Sequence, residues 1–241
     1  MISPTLHSQA IVNKRRNMNL PVYNYGLGEN PLNPPEQFLK CISKYLDKKK
    51  YTSASGIPEL NSTIKLLYST NNYKIDNVLF GNGLKELLFV IQASFEGMIF
   101  HITPSWVSYK EQVFILNKRS KTIFIETCIE DNYLINLENL DETLSKYTHQ
   151  KKLIIFNNPC NPTGICYDSQ FVEKLSDVLK KHNCIVLADE IYQNIDYQNN
   201  FKSISEYLPN NTIRGSSVSK DLSCGGYRLG WATFPKDLWE F

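Results

Sequence analysis

From residue 76 onward the chain alternates short apolar runs with amphipathic stretches, and no other feature restricts its possible folds as much. Val78–Phe80, Met98–Ile102, Thr122–Ile125, Leu153–Phe156, Cys184–Ala188, Thr212–Ile213 and Leu229–Phe234 read as buried strands. Amphipathic helices are predicted between most of them, at about 83–96, 105–117, 137–147 and 168–182. Strands alternating with helices predict a layered α/β fold around a mainly parallel sheet. Ligands of such sheets bind outside the carboxyl ends of the strands, so residues at or just after strand ends are the first candidates for chemistry. No internal repeat, low-complexity tract or linker divides residues 76–235.

The segment up to about Pro35 is rich in Pro, Asn and Gly and lacks sustained periodicity, which predicts an extended N-terminal arm over 1–34. Residues 35–241 then form one large domain. Pro35 is expected to open a helix with Phe38, Leu39, Ile42, Tyr45 and Leu46 on one face. Another begins near Pro58 and carries Leu60, Ile64, Leu67 and Tyr68.

Composition excludes several function classes. A formal charge of +2 gives no electrostatic case for nucleic acid or an acidic membrane surface. The 6 cysteines and 4 histidines fall on no metal-ligand spacing, so reduced thiols and no metal are expected. No run approaches the ~20 apolar residues of a membrane span. Lys14-Arg15-Arg16 is flanked by no apolar run of the secretory kind. A soluble, cytoplasmic protein is expected.

Five blocks fall at the predicted strand ends: Gly81-Asn82-Gly83-Leu84-Lys85, Asn158-Pro159-Cys160-Asn161-Pro162-Thr163-Gly164, Ala188-Asp189-Glu190-Ile191-Tyr192, Ser217-Val218-Ser219-Lys220 and Gly226-Tyr227-Arg228-Leu229-Gly230-Trp231. Singly, each has a plain structural reading. An isolated lysine is usually a solvated surface group, and an acid after a strand is more often a turn or cap residue. N-P-T-G marks a tight turn, and Arg228 can serve a structural salt bridge. Together they supply a lysine for a Schiff base, a carboxylate for a pyridinium nitrogen, donors for a phenolic oxygen and a cation for a phosphate. Pyridoxal phosphate (PLP) needs each of these.

The ordered set resembles the fold-type I, class I/II aminotransferases, the aspartate aminotransferase-like group, from about Gly26 to Pro235. The resemblance implies a three-layer αβα large domain with PLP carried covalently on Lys220. Asp189 would pair with the ring nitrogen, and Asn161 and Tyr192 would donate to the phenolic oxygen. Gly83, Leu84, Lys85, Ser217 and Arg228 would hold the phosphate, and Trp106 in Pro104-Ser105-Trp106-Val107-Ser108-Tyr109 would stack on the ring. Gly28, in the loop Gly26-Leu27-Gly28-Glu29-Asn30-Pro31, would cover the substrate beside Trp106 and Asn161. Tyr51 would reach the phosphate of a neighbouring subunit, which implies a homodimer with shared active sites.

The implied reaction moves an amino group between an amino acid and a 2-oxo acid, with Lys220 passing the proton and Asp189 and Tyr192 beside it. A lyase, synthase or decarboxylase on the same scaffold is the alternative chemistry. The family continues past the Gly-Tyr-Arg-Leu-Gly-Trp block into a smaller C-terminal domain, whose arginine grips the substrate carboxylate. The sequence given reaches Phe241 and lacks that domain. It is therefore expected to be a fragment of an active enzyme or a truncated, non-catalytic PLP-binding remnant.

Overall fold

In the computed structural model, which describes residues 4–24, 26 and 28–239, seven strands build a single sheet. These are β1 (Asn77–Asn82), β2 (Met98–Thr103), β3 (Thr122–Glu126), β4 (Lys152–Asn157), β5 (Cys184–Asp189), β6 (Thr212–Ser217) and β7 (Leu229–Phe234). Their order is β1-β7-β6-β5-β4-β2-β3. β7 runs antiparallel to both its neighbours, and the remaining pairs are parallel. Every residue of β4 is buried, as expected where helices cover both faces of a parallel sheet.

Because strand side chains alternate, each strand feeds two cores. Helices α4 (Leu84–Ser94) and α5 (Val107–Ile115) close one around Ile99, Leu153, Ile155 and Leu187. Helices α6 (Leu137–Ser145) and α7 (Ser169–Lys181) close the other around Phe100, Ile154, Phe156 and Val186. The three-layer αβα expectation is met. Side-chain caps start the last two helices: Asn136 accepts from the Asn139 N–H at 2.9 Å and Asp168 from the Phe171 N–H at 2.8 Å. Helix α3 (Pro58–Tyr68) adds a smaller cluster of Ile64 with Val78 and Trp231.

Three expectations need correction. Pro4–Asn17 form helix α1 rather than extended chain. Val12 is the one residue of its described side chains that is buried, so there is no apolar stripe to read. Its sequence signals are Lys14, Arg15 and Arg16 in the last turn, where cations suit the helix dipole. Helix α2 (Glu36–Ser43) buries none of its residues, and Tyr45 and Leu46, expected on its face, lie beyond its end and exposed. β6, expected over Thr212–Ile213, continues through Arg214 and Gly215 to the buried polar residues Ser216 and Ser217. Pairing with β7 holds this stretch as strand despite its polarity. Leu27 and Phe241 lie outside the described residues.

Candidate active site

The sheet register gathers polar residues at one edge. Asn157 lies level with Asp189, Asp189 with Gly215, and Ser217 with Gly230. Asp189 ends β5 and is 4% exposed. Its Oδ2 accepts from the Tyr109 hydroxyl at 2.5 Å and its Oδ1 from the Ile191 N–H at 3.3 Å. Its carbonyl accepts from Asn157 Nδ2 at 2.9 Å and the Asn158 N–H at 3.2 Å. Burial raises its carboxyl pKa to about 6; the Tyr109 hydroxyl, the Ile191 N–H and the Lys220 charge oppose the rise, whereas Glu190 adds to it. Such a carboxylate gains much from a cation brought into the cleft.

Lys220 stands in the turn after β6. Its Nζ donates to the Gly28 carbonyl at 2.7 Å and lies 5.7 Å from the centroid of the Tyr192 ring. Burial lowers the pKa of its amine, against the charges of Glu29 and Asp189. That shift favours the neutral amine, the form that attacks a carbonyl. The Tyr192 hydroxyl accepts from Asn161 Nδ2 at 3.3 Å, and the Asn161 N–H donates to Asn157 Oδ1 at 2.7 Å. Burial raises the Tyr192 pKa and Asp189 adds to the rise, so the phenol keeps its proton and can donate it to a hydrogen bond.

Next to these groups is a bare helix start. Gly83, at φ 81°, is the N-cap of α4 and offers no side-chain cap, and the first N–H groups of a helix have no intrahelical acceptor. Arg228 precedes β7 in the left-handed region (φ 55°). Because β7 is antiparallel, its start comes beside the ends of β1 and β6. Arg228 Nη2 donates to the Asn82 carbonyl at 2.8 Å and Nη1 to the Gly225 carbonyl at 2.7 Å. Among the described residues no carboxylate pairs with it, so the salt-bridge alternative is not met. A Cβ at Gly83 would stand 2.4 Å from Arg228 Nη2, so glycine is what lets the guanidinium lie across the helix start. Ser217, 1% exposed, accepts at Oγ from the Ser219 N–H at 3.1 Å. Free amides, a hydroxyl and an unpaired guanidinium together suit a phosphate.

Trp106 is the N-cap residue of α5, edge-on to Tyr109 at 5.7 Å, with Lys85 Nζ 5.3 Å from its ring centroid. Leu84 is 2% exposed and packs in the core, so it can offer the cleft only its backbone. Tyr51 is fully exposed, and among the described residues no hydrogen bond or ring contact ties it to these groups.

Two residues to which the sequence reading gave no role are part of the arrangement. Tyr109 holds Asp189 directly, and Asn157 links Asp189 to Asn161. The available signal for Tyr109 was its place three residues after Trp106, one turn along the same helix. A groove of about 600 Å³ lined by Tyr133, Ile165, Phe171 and Lys174 among others contains none of the expected site residues. No group of described residues could hold a metal ion, and no described helix is long and apolar enough to cross a membrane.

Residues 16–240 match the family described as aminotransferase class I and II. The chain is 30% identical over 249 aligned positions to an aspartate aminotransferase of Bacillus sp. (strain YM-2), covering 98% of this chain and 62% of that protein. An asparagine–oxo-acid transaminase of Streptococcus mutans is 28% identical, with 95% of this chain and 61% of the relative covered. Among solved structures, an aspartate aminotransferase from Rhizobium meliloti superposes with a TM-score of 0.87 at 27% identity, over 99% of this chain and 62% of that one. The aspartate aminotransferase from Thermus thermophilus with maleate gives the same TM-score of 0.87 at 25% identity, over 98% and 63%. The chain thus spans about three fifths of the length of these relatives.

Proposed function

The chain belongs to the class I and II aminotransferases, and on that premise we propose that it serves the transfer of an amino group between an amino acid and a 2-oxo acid. The observation that carries this reading is the meeting of two segments, Asp189 with Tyr192 and Lys220 with Arg228, beside the distant start of α4 at the strand ends. PLP, the cofactor of this family, fits the residues present. The uncapped start of α4 with the unpaired Arg228 suits its phosphate, and the buried Asp189 suits its ring nitrogen. When bound, PLP supplies a sink for the electrons that leave the substrate Cα.

The chain's own residues then have distinct tasks. Lys220 would hold the cofactor covalently, and its freed amine would carry the proton from the substrate Cα to the cofactor's C4′. Asp189, steadied by Tyr109, keeps positive charge on the ring nitrogen. Tyr192 and Asn161 donate to the phenolic oxygen. The Gly83–Lys85 backbone, Ser217 and Arg228 hold the phosphate, Trp106 flanks the ring, and Gly28 covers the substrate. Tyr51, exposed on its own chain, reaches the site of a second copy, so the working form is a homodimer. Its six unpaired cysteines suit a reducing cytoplasm.

Relatives named for aspartate make that amino acid the first donor to test. In a single turnover, PLP-loaded protein mixed with aspartate is expected to release one equivalent of the matching 2-oxo acid per site. Ammonia or carbon dioxide in its place would assign the scaffold to lyase or decarboxylase chemistry.

A further inference from the structure

Directly behind Asp189 and Tyr192 lies a buried ion pair that none of the steps above uses. Glu190 is 1% exposed and Arg214, on β6, is 8% exposed. Glu190 Oε2 accepts from Arg214 Nε, and its Oε1 accepts from the Ser203 hydroxyl at 2.7 Å. Arg214 Nη2 donates to Gln193 Oε1 at 2.6 Å and Nη1 to the Tyr68 carbonyl at 3.3 Å. The guanidinium also lies 4.8 Å from the centroid of the Tyr68 ring, and Gln193 Nε2 donates to the Tyr68 hydroxyl at 2.8 Å.

Residues 190–193 form a tight turn, closed by the Gln193 N–H to the Glu190 carbonyl at 3.0 Å and anchored by the Glu190 N–H to the Gly215 carbonyl at 3.0 Å. Tyr192 is inside that turn. Arg214 therefore grips the turn at both ends, by the carboxylate of residue 190 and the amide of residue 193. A planar guanidinium can fix two points at once, which an ammonium cannot. A buried ion pair adds little net stability compared with apolar packing, so its main effect is on geometry.

We infer that Arg214, acting through Glu190 and Gln193, is a positioning residue of the active site that aims the Tyr192 hydroxyl at Asn161 and the cofactor. The inference rests on the proposed role of Tyr192 toward PLP. It assigns the aim of that hydroxyl to side chains outside the cleft.

The test follows the absorbance of PLP bound to the full chain as pH is varied. Tyr192→Phe removes a donor to the phenolic oxygen, disfavours its anion and raises the pH midpoint. One ordinary hydrogen bond lost shifts it about fivefold, or ~0.7 pH unit. Gln193→Ala leaves the Glu190–Arg214 pair intact and is expected to raise the midpoint by part of that amount. The double variant should go no further than Tyr192→Phe alone. Arg214→Lys, which keeps the charge beside Glu190, is expected to shift it in the same direction.

A Gln193→Ala protein with the wild-type midpoint and only a lower melting temperature would make the network purely structural and overturn the inference. So would fully additive shifts, or no response to Tyr192→Phe in a protein that binds PLP. If the unmutated chain captures no PLP, the functional reading fails first and takes this inference with it.

Discussion

On the face covered by α6 and α7, the sheet presents Phe100, Ile154, Phe156 and Val186 to Leu140, Leu144, Val172, Leu175 and Leu179, all sealed from solvent. The face covered by α4 and α5 has an equally buried set in Ile99, Leu153, Ile155 and Leu187, but polar side chains are interleaved with it. Gln92 and His101 are 0% exposed and Gln112 is 5% exposed, and Tyr109 hands the series on to Asp189. Among the described residues, Gln92 Oε1 and both His101 nitrogens find no hydrogen-bond partner, and burial lowers the His101 pKa to about 4, so the ring is neutral. Beneath α6 and α7 the packing is apolar, with the buried Glu190–Arg214 pair set at β6, while beneath α4 and α5 desolvated polar groups run up to Asp189 and the cleft.

The widest separation between the faces should come from truncating each. Leu175→Ala on the apolar face is expected to cost about 2–5 kcal/mol of stability by chemical denaturation, with PLP affinity of the folded fraction unchanged. Asp189→Asn should do the reverse. The carboxyl pKa is raised from 3.8 to about 6, equivalent to about 3 kcal/mol. The sign follows from linkage: the folded chain holds this proton more tightly, so stability is full below the unfolded pKa and falls as pH rises through the folded one. Between about pH 4 and 6 the PLP-free chain should lose stability that the Asn variant keeps. Thermal melts across that range check it. A variant less stable at pH 7 would break the contrast between the faces.

Arg228→Ala should weaken PLP binding roughly 10- to 100-fold, the value of a charge-assisted contact, with little change in melting temperature. The smallest effect is expected from Tyr109→Phe. It removes one donor to Asp189 and so moves the midpoint of the pH-dependent stability loss upward by less than about one unit. A downward shift would show that Tyr109 does not stabilise the carboxylate.

How much of this was legible in the sequence depended on whether a residue's fate was decided locally. Strand cores such as Leu153–Phe156 and the helices after them carry their period in the chain, and their positions agree closely with the structure. Asp189, Lys220 and Arg228 were proposed from the ordered motifs and the resemblance they carry. The sheet brings the end of β5, the turn after β6 and the start of the antiparallel β7 to one side. The polar half of β6 was missed because only pairing with β7 makes it strand. Helix α1 was missed because it lacks an apolar face. Glu190 and Arg214 read as unrelated charges until β5 and β6 pair, with Ala188 opposite Arg214. Of the apolar residues expected on α2, Phe38 packs half-buried against the Ile64, Val78 and Trp231 cluster and edge-on to Tyr227, whereas Leu39 stays exposed.

The central claim is that the carboxyl edge of this sheet is a PLP site built around one amine, and its most direct test is to trap that amine. The chain is incubated with PLP, reduced with borohydride and digested, and the modified peptide is identified by mass spectrometry. The account predicts a single stoichiometric adduct on Lys220, lost in Lys220→Ala while the protein remains folded. Adducts scattered over surface lysines, or equal labelling of the Lys220→Ala protein, would contradict it.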